Sequence, residues 1–372
     1  MAERPNDKVL TPAFVTGVGV RASLGLSGLH AAMLVRARRG EPRETRFLDK
    51  RSRHVGVHRA LGPKSDVHGV PRMVALAAPA LRASVPLGEA GGPSAYTLFL
   101  AVPEAGRPDD DPRYSGEIVA MIGEAAGVPI DASRSRAIRA GHAGTAFALE
   151  AALDEIQRGA QTVLVGAVDS YYHPDVLAWL DEECRLHSID AENGFIPGEG
   201  AAFLRLTASL SRTNKSRDAL ARESREERLS REAREAREAP ALLRRVETGR
   251  EETVTSDAPN IGAAMTGILR DLASSAPNGK LAWSLTDVNG ERHRVREWGL
   301  AAGRGAFSDD AVHHRPADEL GDLGAASGAV LAGLAVELSR AGAAPKSHAV
   351  VALASDGVER GAFLLSFEGA AR

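Results

Sequence analysis

The residues that could do chemistry lie where a short strand runs into a helix through a glycine-rich turn, at residues 139–152. A helix N-terminus has unpaired backbone N–H groups and the positive end of the helix dipole, which favour a negative group such as a thiolate. Gly141 lies in this turn, and because it has no side chain it cannot form a covalent intermediate. His142 is a candidate displaced nucleophile or base, but one step along a helix turns a side chain by about 100°. That geometry favours a structural role for His142.

Four segments in this order resemble the β-ketoacyl synthases of the thiolase superfamily, and together they span nearly the whole chain. They are an opening strand at 14–20, the turn at 139–152 with the strand at 158–170, a glycine–acid–glycine segment at 193–203, and a small-residue helix start at 321–329. The resemblance implies a thiolase-like α/β fold. In that family the position of Gly141 is a cysteine that carries the acyl group.

The resemblance also implies that both histidines of the family are replaced. These histidines donate hydrogen bonds to the oxygen that becomes negative during malonyl decarboxylation, and such donors contribute about 3–4 kcal/mol each. The first position matches Asn289, which can still donate an N–H. The second matches Asp322, whose ionised carboxylate would repel an enolate by roughly 4 kcal/mol at about 4 Å and an effective dielectric near 20. That repulsion corresponds to about a thousandfold in rate. A protonated Asp322 could donate instead, if burial raised its pKa strongly.

The loop that lines the acyl entrance of the family also differs here. The family has a glycine–phenylalanine–glycine–glycine loop, and the matching residues 354–361 are polar and charged. Since the nucleophile, both histidines and this loop are all replaced, the sequence predicts loss of condensing activity. The dense polar run at 287–299 has two interpretations that the residues leave open: a rebuilt site, or a salt-bridged loop that replaces one.

Two functional hypotheses follow from the resemblance. The first is a ketosynthase-like protein of fatty acid or polyketide type that no longer condenses. It would bind an acyl carrier protein, acyl-CoA or a catalytic partner, as the chain-length partners of polyketide synthases do. The second is an acyltransferase or thioester hydrolase with a rebuilt site that uses Asn289, Asp322, His142 or His293. The family's dimers imply a homodimer, or a heterodimer with an active ketosynthase, paired through the strand after the nucleophile helix. No cofactor and no metal are expected.

The elements that must position these residues alternate between strand and helix, which indicates a mostly parallel sheet with helices on its faces. Strands are predicted at 13–20, 96–102 and 162–170, and helices at 25–38, 70–84, 116–126, 144–158 and 174–183. A helix at 324–340 and a strand at 348–356 repeat the pair 144–158 and 162–170. This repeat predicts duplicated α/β halves, which the resemblance extends to a layered α-β-α-β-α architecture. A pseudo-twofold axis between the halves would bring Gly141 and Asp322 to one central site.

The predicted halves are residues 1–207 and 241–372, and a charged low-complexity insertion at 208–240 separates them. Within it, arginines recur at every third position between 222 and 237, interleaved with glutamates. A period of three drifts around an α-helix, so no apolar stripe remains. This composition favours a solvated helix or a disordered insertion over a docking arm for a charged partner.

The composition of the 372-residue chain sets further bounds. Its formal net charge of −3 gives no reason to expect nucleic acid or an acidic membrane surface as a partner. The single cysteine, Cys184, excludes an internal disulfide framework and a cysteine-rich metal site, and its surroundings match no nucleophile turn. No apolar run approaches the roughly twenty residues of a membrane helix, and the N-terminus has no signal-peptide pattern. A cytoplasmic protein is therefore expected.

Overall fold

The computed structural model describes residues 11–86, 94–189, 191–209, 240–256 and 258–367. In these ranges the strands are β1 (Ala13–Arg21), β2 (Arg43–Leu48), β3 (His54–Val57), β4 (Thr97–Ala101), β5 (Arg136–Ile138), β6 (Thr162–Ser170), β7 (Glu199–Thr207), β8 (Ala241–Arg250), β9 (Leu281–Thr286), β10 (Phe307–His314), β11 (His348–Ala354) and β12 (Glu359–Phe367). The α-helices are α1 (Gly28–Arg36), α2 (Gly69–Ser84), α3 (Glu117–Ala126), α4 (Gly144–Gln157), α5 (Pro174–Glu182), α6 (Ala263–Ser274), α7 (Arg292–Ala302), α8 (Ala317–Leu320) and α9 (Ser327–Arg340). The strands and helices predicted from the sequence are present, with ends that differ by a few residues.

The main sheet consists of two five-stranded halves with the same internal order. The first half runs β5-β4-β6-β7-β1 and the second runs β10-β9-β11-β12-β8. In each half four strands point in one direction, and only β7 or β12 opposes them. The halves meet where β1 pairs with β8 over three residues of each strand, with Val15 opposite Ala241. The predicted duplication and the mostly parallel sheet are both confirmed.

Helices form three layers around these two half-sheets. Helices α2 and α3 cover the first half, while α6 covers β8 and β12 of the second and packs against α7. Between the halves lie α4 and α9: α4 packs on β4 and β6 of one half and on β8 and β12 of the other. α9 is buried on nearly every side, as expected for a helix that is apolar all round. The predicted α-β-α-β-α architecture is confirmed.

Small residues allow the central helices to approach closely. A Cβ atom added to Gly328 of α9 would lie 2.5 Å from Cβ of Thr145 on α4. Each central helix also begins with a glycine in the left-handed region followed by a single 3₁₀ turn: Gly141 has φ +54° and Gly324 has φ +52°. Only glycine adopts this conformation at little cost. The two equivalent turns contact each other, so they bring residues of both halves to one place.

The expected dimer contact through the strand after the nucleophile helix is wrong. That strand is β6, and both of its edges are already paired, with β4 and with β7. The charged insertion at 208–240 lies almost entirely outside the described residues. Among the helices that the structure describes, none is long and apolar enough to span a bilayer.

Candidate active site

The N-terminal turns of α4 and α9 meet at a buried histidine–carboxylate pair. His142 lies in the turn before α4, and its Nε2 is 2.8 Å from Oδ1 of Asp322, which precedes α9. Both side chains are almost fully buried. The structure therefore brings together three of the residues that the sequence singled out: Gly141, His142 and Asp322.

Asp322 is an ionised carboxylate that accepts hydrogen bonds from three donors. Besides His142, the donors are Nδ2 of Asn289 at 2.5 Å and the backbone N–H of Gly324 at 2.7 Å. Burial opposes the charged form, but His142 and the guanidinium of Arg294 outweigh it and hold the pKa of Asp322 well below its usual range. A protonated Asp322 that donates to a developing enolate is therefore contradicted by its surroundings.

The side-chain amide of Asn289, the fourth site residue, donates only to protein carboxylates. One contact is with Oδ2 of Asp322 and the other is with Oε2 of Glu291 at 3.0 Å. A primary amide has two N–H donors, so both are occupied. Its Oδ1 accepts the backbone N–H of Glu291 at 3.1 Å. The N–H that the sequence left available for substrate is used within the protein.

Both ring nitrogens of His142 also face partners. Nε2 is turned to Asp322, and Nδ1 lies 3.3 Å from Nη2 of Arg294. Burial and the guanidinium of Arg294 oppose a charged imidazole, but the Asp322 carboxylate outweighs them and raises the pKa of His142. No nitrogen remains to take a proton from a substrate. The structural role favoured for His142 agrees with these contacts.

The polar run at 287–299 folds into a salt-bridged cluster centred on two arginines. Arg294 of α7 is buried and contacts Asp287 at 3.4 Å, Glu291 at 3.3 Å and Asp356 at 2.5 Å. Arg185 donates to both oxygens of Glu291 and of Asp356 at 2.8–3.1 Å. Although burial opposes ionisation, the two guanidinium groups hold the pKa of Asp356 well below its usual range. Of the two interpretations left open by the sequence, the salt-bridged segment is the one observed.

The loop at 354–361 closes over the turn at Gly141. The hydroxyl of Ser355 donates to the carbonyl of Ala140 at 2.6 Å and accepts the backbone N–H of Ala143 at 2.9 Å. One of the N–H groups at the start of the central helix is therefore occupied by a protein side chain. This contact fixes the polar loop against the turn at Gly141.

Glu104 is a site residue that the sequence reasoning missed. It lies in the loop after β4, and an ideal Cβ atom built on Gly141 would be 3.1 Å from its Cδ and Oε2. Burial is the main reason that the pKa of Glu104 is raised, and the nearby Asp356 raises it further. The backbone N–H of Gly357 donates to this carboxylate and partly offsets the rise. No motif marks Glu104, because only the fold brings the end of β4 beside Gly141.

One group of potential metal ligands occurs among the described residues: Glu291, His293 and Asp356, with ligand atoms within 4.8 Å of one another. Both carboxylates of this group, those of Glu291 and Asp356, already pair with Arg185, which is 2.8 Å from each. A cation here would face a fixed positive charge on the same oxygens. His293 itself is exposed. This arrangement fits an ion-pair network better than a metal centre.

Two other chemically notable residues lie in different settings. Cys184 is exposed just after α5, and its Sγ is 3.1 Å from Nζ of Lys50. Glu199, within the glycine–acid–glycine segment, begins β7 and is fully buried. Its carboxylate binds Arg72 at 2.5 and 2.6 Å, the hydroxyl of Ser170 at 2.7 Å and the backbone N–H of Ala60 at 2.9 Å. Glu199 therefore forms a buried structural ion pair with Arg72 at the start of β7.

Comparison with solved structures identifies the fold. The ishigamide ketosynthase/chain length factor superposes with a TM-score of 0.68 at 17% identity over 96% of this chain and 100% of the other. A chain of the AntDE:AntF complex, a type II polyketide synthase acyl-carrier protein with its ketosynthase bound to the hexaketide, gives 0.69 at 14% identity over 96% and 99%. The oxazolomycin ketosynthase domain OzmH KS7 of Streptomyces albus JA3453 gives 0.65 at 12% identity over 95% and 74%.

None of the protein-family models matches this chain, and neither does any curated protein. The likeness is thus one of architecture at low sequence identity. This chain has a ketosynthase-like fold.

Proposed function

We propose that this chain, built on a ketosynthase-like fold, does not condense acyl groups and acts as a binding or dimerisation partner in fatty acid or polyketide biosynthesis. The observation that carries the proposal is the position of Glu104. Its carboxylate borders the space that a side chain at Gly141 would enter, since an added Cβ atom would be 3.1 Å from it. A covalent acyl intermediate at this position would have no attacking atom, and a side chain there would require Glu104 to shift.

The polar groups around Gly141 support the same proposal. A condensing site needs donors directed at a substrate oxygen that becomes negative. Here Asn289 and His142 donate to Asp322, and Arg294 donates to carboxylates and a backbone carbonyl. Their hydrogen-bonding capacity is satisfied within the protein, and a buried carboxylate lies at their centre. Such a network stabilises one closed arrangement and opposes an enolate.

The kind of partner is suggested by the proteins that share the fold. One is named as a ketosynthase/chain length factor and another as a ketosynthase in complex with its acyl-carrier protein. We propose a heterodimer with an active ketosynthase, or a homodimer, and contact with an acyl carrier protein. The short strand β5, at the edge of the main sheet, leads directly to the turn at Gly141. Because an edge strand has unpaired backbone groups, it is the part of this half best able to pair with a second chain.

The proposal is tested by incubating the purified chain with acyl-carrier and acyl-CoA thioesters while free thiol and binding are both measured. We expect binding without thiol release, and co-purification with an active ketosynthase when the two are co-expressed. Thiol release that vanishes in Asp322→Ala would instead identify an enzyme. Absence of both binding and turnover would reject the partner role.

A second candidate, a thioester hydrolase or acyltransferase with a rebuilt site, is favoured by one observation. The Glu104 carboxyl has a raised pKa beside a helix start, which is a setting common for general bases. In this case a water molecule would attack the thioester carbonyl, and Glu104 would take a proton from that water. Glu104→Gln would abolish thiol release and leave thioester binding unchanged. If the chain is only a partner, neither the wild type nor this variant releases thiol.

A further inference from the structure

A cavity lies on the outer face of the second half, away from the turn at Gly141. Its volume is about 310 Å³, and it is formed by α6, the end of α7 and the loops that follow these helices. This volume is at the lower end of the range for small-ligand pockets, roughly 300–1,000 Å³. Buried alanines at 273, 301 and 306 contribute its apolar part. None of its lining residues belongs to the cluster around His142.

The charge of this cavity is positive. Arg270 and Arg304 both line it, and none of its lining residues is acidic. Asp271 follows Arg270 on α6, but successive helix residues point about 100° apart, and Asp271 does not line the cavity. Nζ of Lys280 donates to the carbonyl of Gly305 at 2.6 Å, which places a third cation at the wall. An anion in this cavity would meet the two arginines that line it, and the Lys280 ammonium adds positive charge close by.

Arg304 is exposed, and one hydrogen bond to the protein holds it in place while most of its donors face solvent. Nη1 of Arg304 donates to Oγ1 of Thr266 at 2.6 Å, and this hydroxyl donates in turn to the carbonyl of Gly262 at 2.6 Å. A guanidinium group has five N–H donors, so four remain. Within the described part of the chain, neither these four nor the guanidinium of Arg270 has a hydrogen-bonding or ionic partner.

We propose that this cavity binds the phosphate group of a small phosphate ester or diphosphate. The planar fork of arginine matches two phosphate oxygens at once, and two such forks line this cavity, one of them held in place by the Thr266 hydroxyl. A carboxylate has only two oxygens, so it offers two arginine forks fewer acceptors than a phosphate does. The proposal rests on residues separate from those of the proposed function, so either can fail without the other.

The full-length chain is titrated by calorimetry at about 0.15 M salt with inorganic pyrophosphate and, in a parallel arm, with glycerol 3-phosphate. We expect saturable binding of at least one probe, and the stronger arm separates a diphosphate site from a phosphate-ester site. Arg270→Ala combined with Arg304→Ala should weaken it at least about tenfold, as for hydrogen bonds to charged groups. Arg304→Lys keeps the charge without the fork and should weaken binding by less. Arg296→Ala, an exposed arginine of α7 outside the cavity, is the matched control.

Three results would overturn the proposal. They are an absence of saturable binding to either probe, equal affinity in the double arginine variant, and equal displacement by sulfate and chloride at the same concentration. Thermal unfolding of each variant provides a check on folding. If the double variant fails to fold, the comparison of Arg304→Lys with Arg296→Ala decides the matter, since equal affinities of these two also reject the site.

Discussion

The carboxylate of Glu104 borders the space that a side chain at Gly141 would enter. Added to Gly141, a Cβ atom would be 3.1 Å from the Glu104 carboxyl, and the left-handed backbone at φ +54° independently disfavours any other residue there. The two features reinforce each other. A glycine is needed for the turn, and the space that it leaves is bordered by an acidic group from a different strand end. A thiolate at this position would therefore lie beside an acidic group.

Gly141→Cys alone should give a poorly reactive thiol. A carboxylate within a few ångströms raises a thiol pKa, and only the thiolate is nucleophilic. Adding Glu104→Ala should speed alkylation by iodoacetamide at least about tenfold at pH 7, since one pKa unit changes the thiolate fraction about tenfold. Peptide-resolved mass spectrometry measures the rate at the introduced cysteine, with exposed Cys184 as the internal standard. Equal rates in the single and double variants would show that Glu104 does not control this position.

Glu104→Gln should stabilise the fold at pH 8 and have no effect at pH 4. The folded-state pKa of Glu104 is raised above 4.5, so ionisation is costlier in the folded than in the unfolded chain. That cost is present above the folded pKa and disappears below the unfolded value. Urea unfolding at the two pH values measures the difference, with exposed Glu183→Gln as the control. A gain of equal size at both values would contradict the assignment.

His142→Ala should destabilise the fold strongly, by about 3–5 kcal/mol, because removal of one partner leaves a buried carboxylate without its counterpart. Asn289→Ala should cost less, about 1–3 kcal/mol, for the lost donor to Asp322. Denaturant unfolding measures both, and His30→Ala, at an exposed position of α1, is the control. A loss no larger than that of the control would show that the contacts around Asp322 are unimportant for the fold.

Asp322→Asn should cost stability at pH 7, and this cost should vanish in acid. Because the folded-state pKa of Asp322 is depressed below 3.8, its contribution is present above about pH 5 and is lost as the pH falls below the unfolded value. The difference between wild type and variant should therefore begin to shrink below about pH 4 and continue to shrink as the pH falls towards the folded-state pKa. A constant difference from pH 7 to pH 3 would mean that ionisation of Asp322 does not contribute.

Local pattern was sufficient to predict the central part of the fold. The turn at Gly141 and its repeat at Gly324 carry the small residues that the close approach of α4 and α9 requires. Helix α7 was not recognised, because its sequence is highly charged and charged residues are usually exposed. In the structure Arg294 and Glu297, three residues apart and so on one helical face, are both buried by ion pairs. A polar core is not distinguishable from a polar surface by periodicity.

The site itself was predictable only in part. Gly141, His142, Asn289 and Asp322 could be singled out, and the structure brings the last three into one hydrogen-bonded cluster. What those side chains do depends on partners distant in sequence. Arg294 faces the second ring nitrogen of His142, and Glu291 accepts the second N–H of Asn289, so a possible base and a possible donor become satisfied structural groups. Glu104 has no local signal, because its role comes from the tertiary contact alone.

The most direct test is intact-protein mass spectrometry of the wild-type chain after incubation with malonyl and longer acyl thioesters of coenzyme A and of a carrier protein, together with product analysis. If the chain does not condense acyl groups, we expect an unmodified protein mass and no carbon–carbon bond formation. A stable acyl adduct on the wild-type protein, or a β-ketoacyl product formed by the chain alone, would contradict it.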